Sequence, residues 1–301
     1  MRLDFGFFPR RYDHSFGDIT VSTLPELDEK VAHIREHEWV RNKSFRVPTP
    51  HRVFAMPKTH AFEHSSAQTT EHVEFLLWCF GFFVGMRMSW MEAGFLDSTP
   101  IEEGAMSDIV WRGDSSLNKA VTGANAFWNN YQPTKPRIPK ILSAAIHAYF
   151  LAQREGLLEY ERFMFFYVAV DACHAIHRAK AGGGQPRVNH AERIRDLCTA
   201  FGTVADSSGR TVPLWAEVPQ GAVRGTQPAI ANLRNELFHE GLFFDEPLGF
   251  AGFGDPRISD HALGDLEALV SRFIVATLEL PAHDYIASSL ANRTMEGVLL
   301  P

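Results

Sequence analysis

The stretch Leu157–Ala179 constrains this chain more than any other, because it is apolar on nearly every face over about six helical turns. A helix of that kind buries itself only at the centre of a bundle. The run Gly182-Gly-Gly-Gln-Pro186 ends it. Partners for it follow from the periodicity of the rest: Lys140–Arg154, Asn189 to about Phe201, Thr226–Gly241 and Asp260–Leu280 all read as helices. Between them, Ser207–Pro219 and the Gly-, Phe- and Pro-rich Leu242–Pro256 read as loops. A helical domain over residues 140–301 is therefore expected. In front of it, Gln132–Pro139 carries three prolines in eight residues, the composition of a stiff extended connector and of a domain boundary.

Residues 1–131 read as a mixed α+β domain. Short strands are expected at Leu3–Phe8 and Ile19–Ser22, a helix over Leu24–Val40 with Pro25 in its first turn, and a further helix over Ser115–Tyr131. Met88–Asp97 and Ser107–Arg112 read as strand and loop. Phe75–Met86, started by Thr69 or Thr70, is apolar all round. Its twelve residues fall short of the ~20 needed to cross a bilayer, so it is a buried core helix, with glycines that permit close packing. The fold class is mainly α: a mixed N-terminal domain followed by a helical bundle. No internal repeat is visible.

The charge balance narrows the function. A net charge of −7 and a pI near 6.0 do not describe a protein that coats nucleic acid, so any nucleic-acid site must be a local cleft. Cys79, Cys173 and Cys198 are widely spaced in apolar helical surroundings, which suggests neither a zinc knuckle nor a disulfide framework. Met1–Pro9 lacks the apolar run and cleavage site of a secretory signal, so the cytoplasm is the expected compartment.

Two patterns that carry chemistry elsewhere read here as surface. His33-Ile-Arg-Glu36-His37 matches the H-x-x-E-H zinc spacing, but no third carboxylate ligand on a partner helix can be named, and a surface helix with two histidines looks the same. Arg41–His60 holds five basic residues and no acidic one, interleaved with Phe45 and Phe54. That combination can track a single strand of nucleic acid, and it also describes a solvated hairpin edge, the reading favoured here. Asp171, His174 and His177, near the end of the central helix, read as a satisfied polar cluster, and Arg162 as an internal ion pair with Glu159 or Asp171.

The candidate site lies on the helix Thr226–Gly241. Ile230, Leu233 and Leu237 form its buried stripe, and Gly241 supplies a C-terminal cap. Arg234 stands five residues before His239. With 22 arginines and 14 histidines in 301 residues, about one such spacing arises by chance, and two occur. The other, Arg46 to His51, contains Pro48 and Pro50 and cannot lie on a regular helix. At ~100° per residue Arg234 and His239 stand ~140° apart, so a regular helix keeps them separate and a second copy of the helix is needed to bring them together. Asn235 and His239 are four apart, near enough for the amide to orient the imidazole. Arg187, Arg193 and Arg195 gather with His190 as candidate phosphate contacts.

Arg234-Asn235-x3-His239, preceded by the apolar Glu161-Arg-Phe-Met-Phe-Phe-Tyr-Val-Ala-Val-Asp-Ala-Cys173, resembles a HEPN domain of the ApeA-like kind, the helical module of many prokaryotic RNases and defence proteins. The resemblance spans roughly residues 140–280. It implies a HEPN-like bundle and a homodimer whose two protomers line one cleft with Arg234 and His239, supported by Asn235. It implies RNA as substrate; the residues themselves offer Arg187, Arg193 and Arg195 as its contacts and call for no cofactor, no metal and no membrane. RNA brings its own nucleophile, the 2′-OH, so cleavage needs a proton-transfer group and a fixed cation. His239 takes the first role and Arg234 the second. Two functions from different classes follow: a metal-independent endoribonuclease of a toxin or phage-defence system, held in check by an antitoxin or other partner protein, or a non-catalytic HEPN scaffold that dimerises and senses a ligand, nucleic acid or protein.

Overall fold

The computed structural model describes residues 1–6, 11–32, 52–53, 58–88, 90, 99–100, 114–153, 157–182, 188–201, 229–248, 256–281 and 285. Helices dominate, with small sheets, and the chain divides into two units, Met1–Asn130 and Tyr131–Pro301.

In the first unit, β1 (Arg2–Phe5), β2 (His14–Phe16), β3 (Ile19–Thr23) and β5 (His60–His64) form an antiparallel sheet in the order β1-β5-β3-β2, while β4 (Arg52–Val53) pairs with β6 (Thr99–Pro100). Register explains which face is buried. Leu3 and Val21 both stand opposite Phe62, and Phe5 opposite His60, so odd positions of β1 and β3 share one face with the even positions of β5. The other face carries Arg2, which pairs with Asp4 at 2.9 Å and Glu63 at 3.1 Å in solvent. A short helix, α1, runs over 27–32, as far as the described residues extend towards the expected end at Val40.

Helix α2 (Thr70–Val84) covers the apolar face. Phe80 meets Phe5, Phe16 and Phe62 edge-on at 6.2, 6.3 and 6.2 Å, the tilted geometry that aromatic quadrupoles favour. Gly81 is required by close approach: a Cβ there would lie 2.7 Å from the Met86 carbonyl oxygen, where the chain folds back after the helix. Helix α3 (Asp114–Tyr131) buries Leu117, Ala120, Val121 and Ala124 and stacks Phe127 on Phe75 at 6.0 Å.

The second unit is built on α5 (Glu159–Lys180), the central helix expected from its composition. Around it pack α4 (Arg137–Ala152), α6 (His190–Phe201) and α8 (Pro256–Thr277). Phe163, Phe166, Ala169, Val170, Cys173 and Ile176 are buried, whereas Val168 is half exposed, so the helix is not enclosed on every side. Lys135 caps it, donating from Nζ to the carbonyls of Ala179 at 2.7 Å and Lys180 at 3.3 Å, where the helix dipole favours a cation.

Three local readings are corrected. The proline-rich run is not an extended connector: the Tyr131 carbonyl accepts from the amides of Thr134 and Lys135, and Pro136 and Pro139 lie at the start of α4. Proline's fixed φ and missing N–H cost nothing in a first helical turn. Arg162 takes neither sequence neighbour as its carboxylate. It donates to the Ala152 carbonyl at 3.1 Å and lies 3.9 Å from Glu267 on α8. The expected loop after Gly241 holds a hairpin, β7 (Leu242–Phe243) and β8 (Glu246–Pro247), turned by Phe244 and Asp245 with φ of 55° and 64°. Two positive φ values in a two-residue turn match the right-handed twist of the strands.

Candidate functional site

The helix that carries the Arg–His pair changes winding as it passes the site. Helix α7 (Ala229–Asn235) buries Ile230, Ala231 and Leu233, then Glu236–Glu240 continues as a π-turn that ends on Gly241 at φ 70°. The Gly241 amide donates to the Glu236 carbonyl, an i→i+5 bond that widens the turn. The hairpin fixes this geometry from outside. The Leu248 amide donates to the Gly241 carbonyl at 3.1 Å, and buried Phe243 packs edge-on against Phe163 of α5 at 5.5 Å.

Widening overturns the helical-wheel expectation. A turn closed by i→i+5 bonds takes more residues to complete, so residues five apart stand closer in angle than on a regular helix, and Arg234 Nη1 is 3.2 Å from His239 Nε2 within one chain. A second copy is not needed to bring them together. A guanidinium only donates, so Nε2 accepts, which leaves the ring proton on Nδ1 in this arrangement. The same Nη1 donates to Asn235 Oδ1 at 3.3 Å, so the amide ties to Arg234 and not, as expected, to the imidazole. The guanidinium carbon lies 4.7 Å over the ring of Phe238, whose side chain is half exposed.

Helix α6 supplies the second wall. Asn189 and Glu192 form a reciprocal capping box: the Glu192 amide donates to Asn189 Oδ1 at 2.9 Å, and the Asn189 amide donates to Glu192 Oε2 at 2.8 Å. The cap sets His190 at the first helical position and Arg193 one turn on, both facing α5. Asp171 accepts from Arg193 Nη1 at 2.9 Å, and its Oδ1 lies 3.7 Å from His190 Nδ1, beyond hydrogen-bond reach. One turn before Asp171, Tyr167 lies 5.6 Å from the His190 ring. Burial lowers the His190 pKa, and Arg193, Arg234 and His239 add to that while Asp171 opposes it. Burial, then Asp171, pushes the Tyr167 phenol up against the pull of Arg234 and Arg193.

Six polar side chains from three elements thus converge: Tyr167 and Asp171, His190 and Arg193, Arg234 and His239. Among the described residues, Tyr167 Oη, His190 Nδ1 and Arg234 Nε are buried atoms without a hydrogen-bond partner. Tyr167 itself is only 3% exposed. Buried polar atoms are normally satisfied, so each of these three has hydrogen-bonding capacity left for a polar ligand or water. Glu236 on the same π-turn has its carboxyl pKa raised, by burial first and then by Glu240 and Asp245.

Of the residues singled out in the sequence, Arg234, Asn235, His239 and Arg193 are brought together here. Arg195 leaves α6 on another flank, since two residues turn the helix by about 200°, and Arg187 lies outside the described residues. So do His33–His37 and most of Arg41–His60. His174, read as part of a structural cluster with Asp171, instead faces Asp196 at 3.6 Å. Tyr167 and Asp171 were missed as site residues because they sit i, i+4 inside the apolar helix; that spacing, with the Asn189–Glu192 box, is the signal available. Among the described residues no group of three or more His, Cys, Asp or Glu is placed to hold a metal ion, and no helix is long and apolar enough to cross a membrane. No family model, curated protein or solved structure matches this chain.

Proposed function

We propose that the chain is a metal-independent endoribonuclease of HEPN type, acting in the cytoplasm in a toxin or phage-defence system. The observation that carries this reading is the 3.2 Å approach of Arg234 to His239, an always-charged donor beside a proton-transfer group. Around the pair stand Arg193, Tyr167 and His190, in a chain whose net charge of −7 confines any RNA contact to such a locality. The phosphate of a bound strand takes the guanidinium's donors, which turns Arg234 away from His239 Nε2 and frees that nitrogen for proton transfer. Arg234 then stabilises the charge that builds on the phosphorane oxygens. Asn235 steadies the guanidinium. A homodimer, an antitoxin and the HEPN bundle itself are implications of the family resemblance; the divergence that demanded a second copy is gone.

The test is cleavage of single-stranded RNA by purified protein in EDTA. The expected result is scission with a 2′,3′-cyclic phosphate end, and the matching DNA left intact, because DNA lacks the 2′-OH. Cleavage abolished by EDTA, or DNA cut as readily as RNA, would overturn the reading and leave the scaffold function standing.

A further inference from the structure

We propose that His190, oriented by Asp171, is a second proton-transfer residue, so that one chain carries both the general base and the general acid. The inference rests on the ribonuclease reading of the Arg234–His239 pair and extends it to a second imidazole. Strand scission moves two protons, one off the 2′-oxygen and one onto the departing 5′-oxygen, and a single imidazole held in place serves one of them at a time.

The geometry assigns the roles. Asp171 Oδ1 lies 3.7 Å from Nδ1 of His190, too far for a hydrogen bond in this conformation but on the side from which a carboxylate, on closing by less than an ångström, favours the Nδ1–H tautomer and leaves Nε2 as the acceptor. The capping box holds the imidazole at the start of α6, and Tyr167 backs the ring. The charged and titratable groups around it are Asp171 and Tyr167 on α5, Arg193 on α6, and Arg234 and His239 beyond. Burial lowers the His190 pKa against the pull of Asp171, with Arg193, Arg234 and His239 adding to it, a shift towards the neutral, proton-accepting form. In the first step His190 Nε2 takes the 2′-OH proton while the 2′-oxygen bonds to phosphorus. The bond from phosphorus to the 5′-oxygen breaks, and protonated His239 gives its proton to that oxygen. The products are a 2′,3′-cyclic phosphate and a 5′-OH, with one imidazole protonated and one neutral as before. Exchange with water resets the pair. Asp171 touches no reacting atom and is a positioning residue.

Four measurements on the full chain decide it. His190→Ala is expected to slow RNA cleavage by ~10²–10⁴-fold and to flatten the acidic limb of the pH–rate profile, whereas His239→Ala flattens the alkaline limb. An RNA with sulfur in place of the bridging 5′-oxygen has a leaving group that needs no acid, so it is expected to restore the rate of His239→Ala and not of His190→Ala. Mixing the two variants is expected to give no recovery, since base and acid belong to one chain; recovery would mean a site shared between copies and overturn the one-chain arrangement. Asp171→Asn is expected to move the acidic limb while the thermal midpoint stays near that of Asp171→Glu. Cleavage by His190→Ala at the unaltered rate, or sulfur rescue of that variant, sinks this inference and leaves the ribonuclease reading intact. No cleavage by the unaltered chain sinks both.

Discussion

Two histidine clusters, one in each unit, show what separates a core from a site. In the first unit His64 and His72 both place Nε2 on the amide oxygen of Asn125, at 3.1 and 2.8 Å, and His72 stacks on Trp128 at 4.8 Å with planes 6° apart. In the second, His190 and His239 stand among Arg193, Arg234, Asp171 and Tyr167. Both clusters set two imidazoles near an amide and an aromatic ring, but only in the first does the amide bond the imidazoles. They differ in charge and in completion. The Asn125 cluster has one acceptor shared by two donors and a ring face covered by indole, which is how a buried imidazole is made harmless. The Arg234 cluster holds two guanidinium groups, one carboxylate and polar atoms still unfilled among the described residues. Histidine proximity alone therefore says little about chemistry.

Rate measurements give the largest contrast. His239→Ala is expected to lower RNA cleavage by ~10²–10⁴-fold with little change in stability, because the side chain is exposed. His72→Ala is expected to leave cleavage unchanged and to lower stability. A nuclease rate that follows His72 and ignores His239 would reverse the roles given to the two clusters. Next in size, Arg234→Ala is expected to cost ~10²–10³-fold, the worth of one preorganised donor, and Arg234→Lys to recover only part of it, since an ammonium lacks the planar fork. Full recovery by lysine would mean that charge alone matters at this position.

How much of this was legible in the sequence depends on what each residue was doing. Phe75–Met86 and Leu157–Ala179 announced buried helices because composition alone settles the fate of a helix apolar all round. The central strand β5 was missed, and its register explains why: the face turned to the core carries His60, Phe62 and His64, so two of three buried positions read as polar. The Arg234–His239 pair was found, but its geometry was not. A wheel of regular pitch cannot anticipate a π-turn whose winding depends on Gly241, on the hairpin behind it and on Phe243 seated against Phe163, contacts that span some eighty residues of sequence. His190 was noticed only as a companion to arginines. Its link to Asp171 needed the packing of α6 on α5.

Stability separates the clusters from the other direction. Asn125→Ala removes the one acceptor that serves two buried imidazoles, and is expected to cost ~1–3 kcal/mol, read as a lower urea midpoint. Asn235→Ala removes a bond made by a guanidinium that has other partners, and is expected to change the midpoint by less than half as much. Equal losses at the two amides would break the distinction between a closed core and an open site.

The smallest effect is a difference in pH response. Burial pushes the His72 imidazole from its ordinary 6.5 down to about 4, with His64 adding to the shift and the Asn125 bond opposing it. Since the folded pKa is below the unfolded one, the unfolded chain binds its proton first as the pH falls. The stability contributed by neutral His72 is therefore fully present above pH 6.5 and is lost progressively as the pH drops towards about 4. His174 and His190 shift in the same direction, burial being the first cause for each, so a raw acid titration of the whole chain mixes the two units. The difference between variants isolates the term. The urea midpoint of His72→Gln is expected to fall less steeply than that of the unaltered chain between pH 6.5 and 4.5, because glutamine keeps a donor for Asn125 and has no proton to gain. Parallel slopes in the two proteins would show that His72 titrates as an exposed histidine does, and the first cluster would then be no more closed than the second.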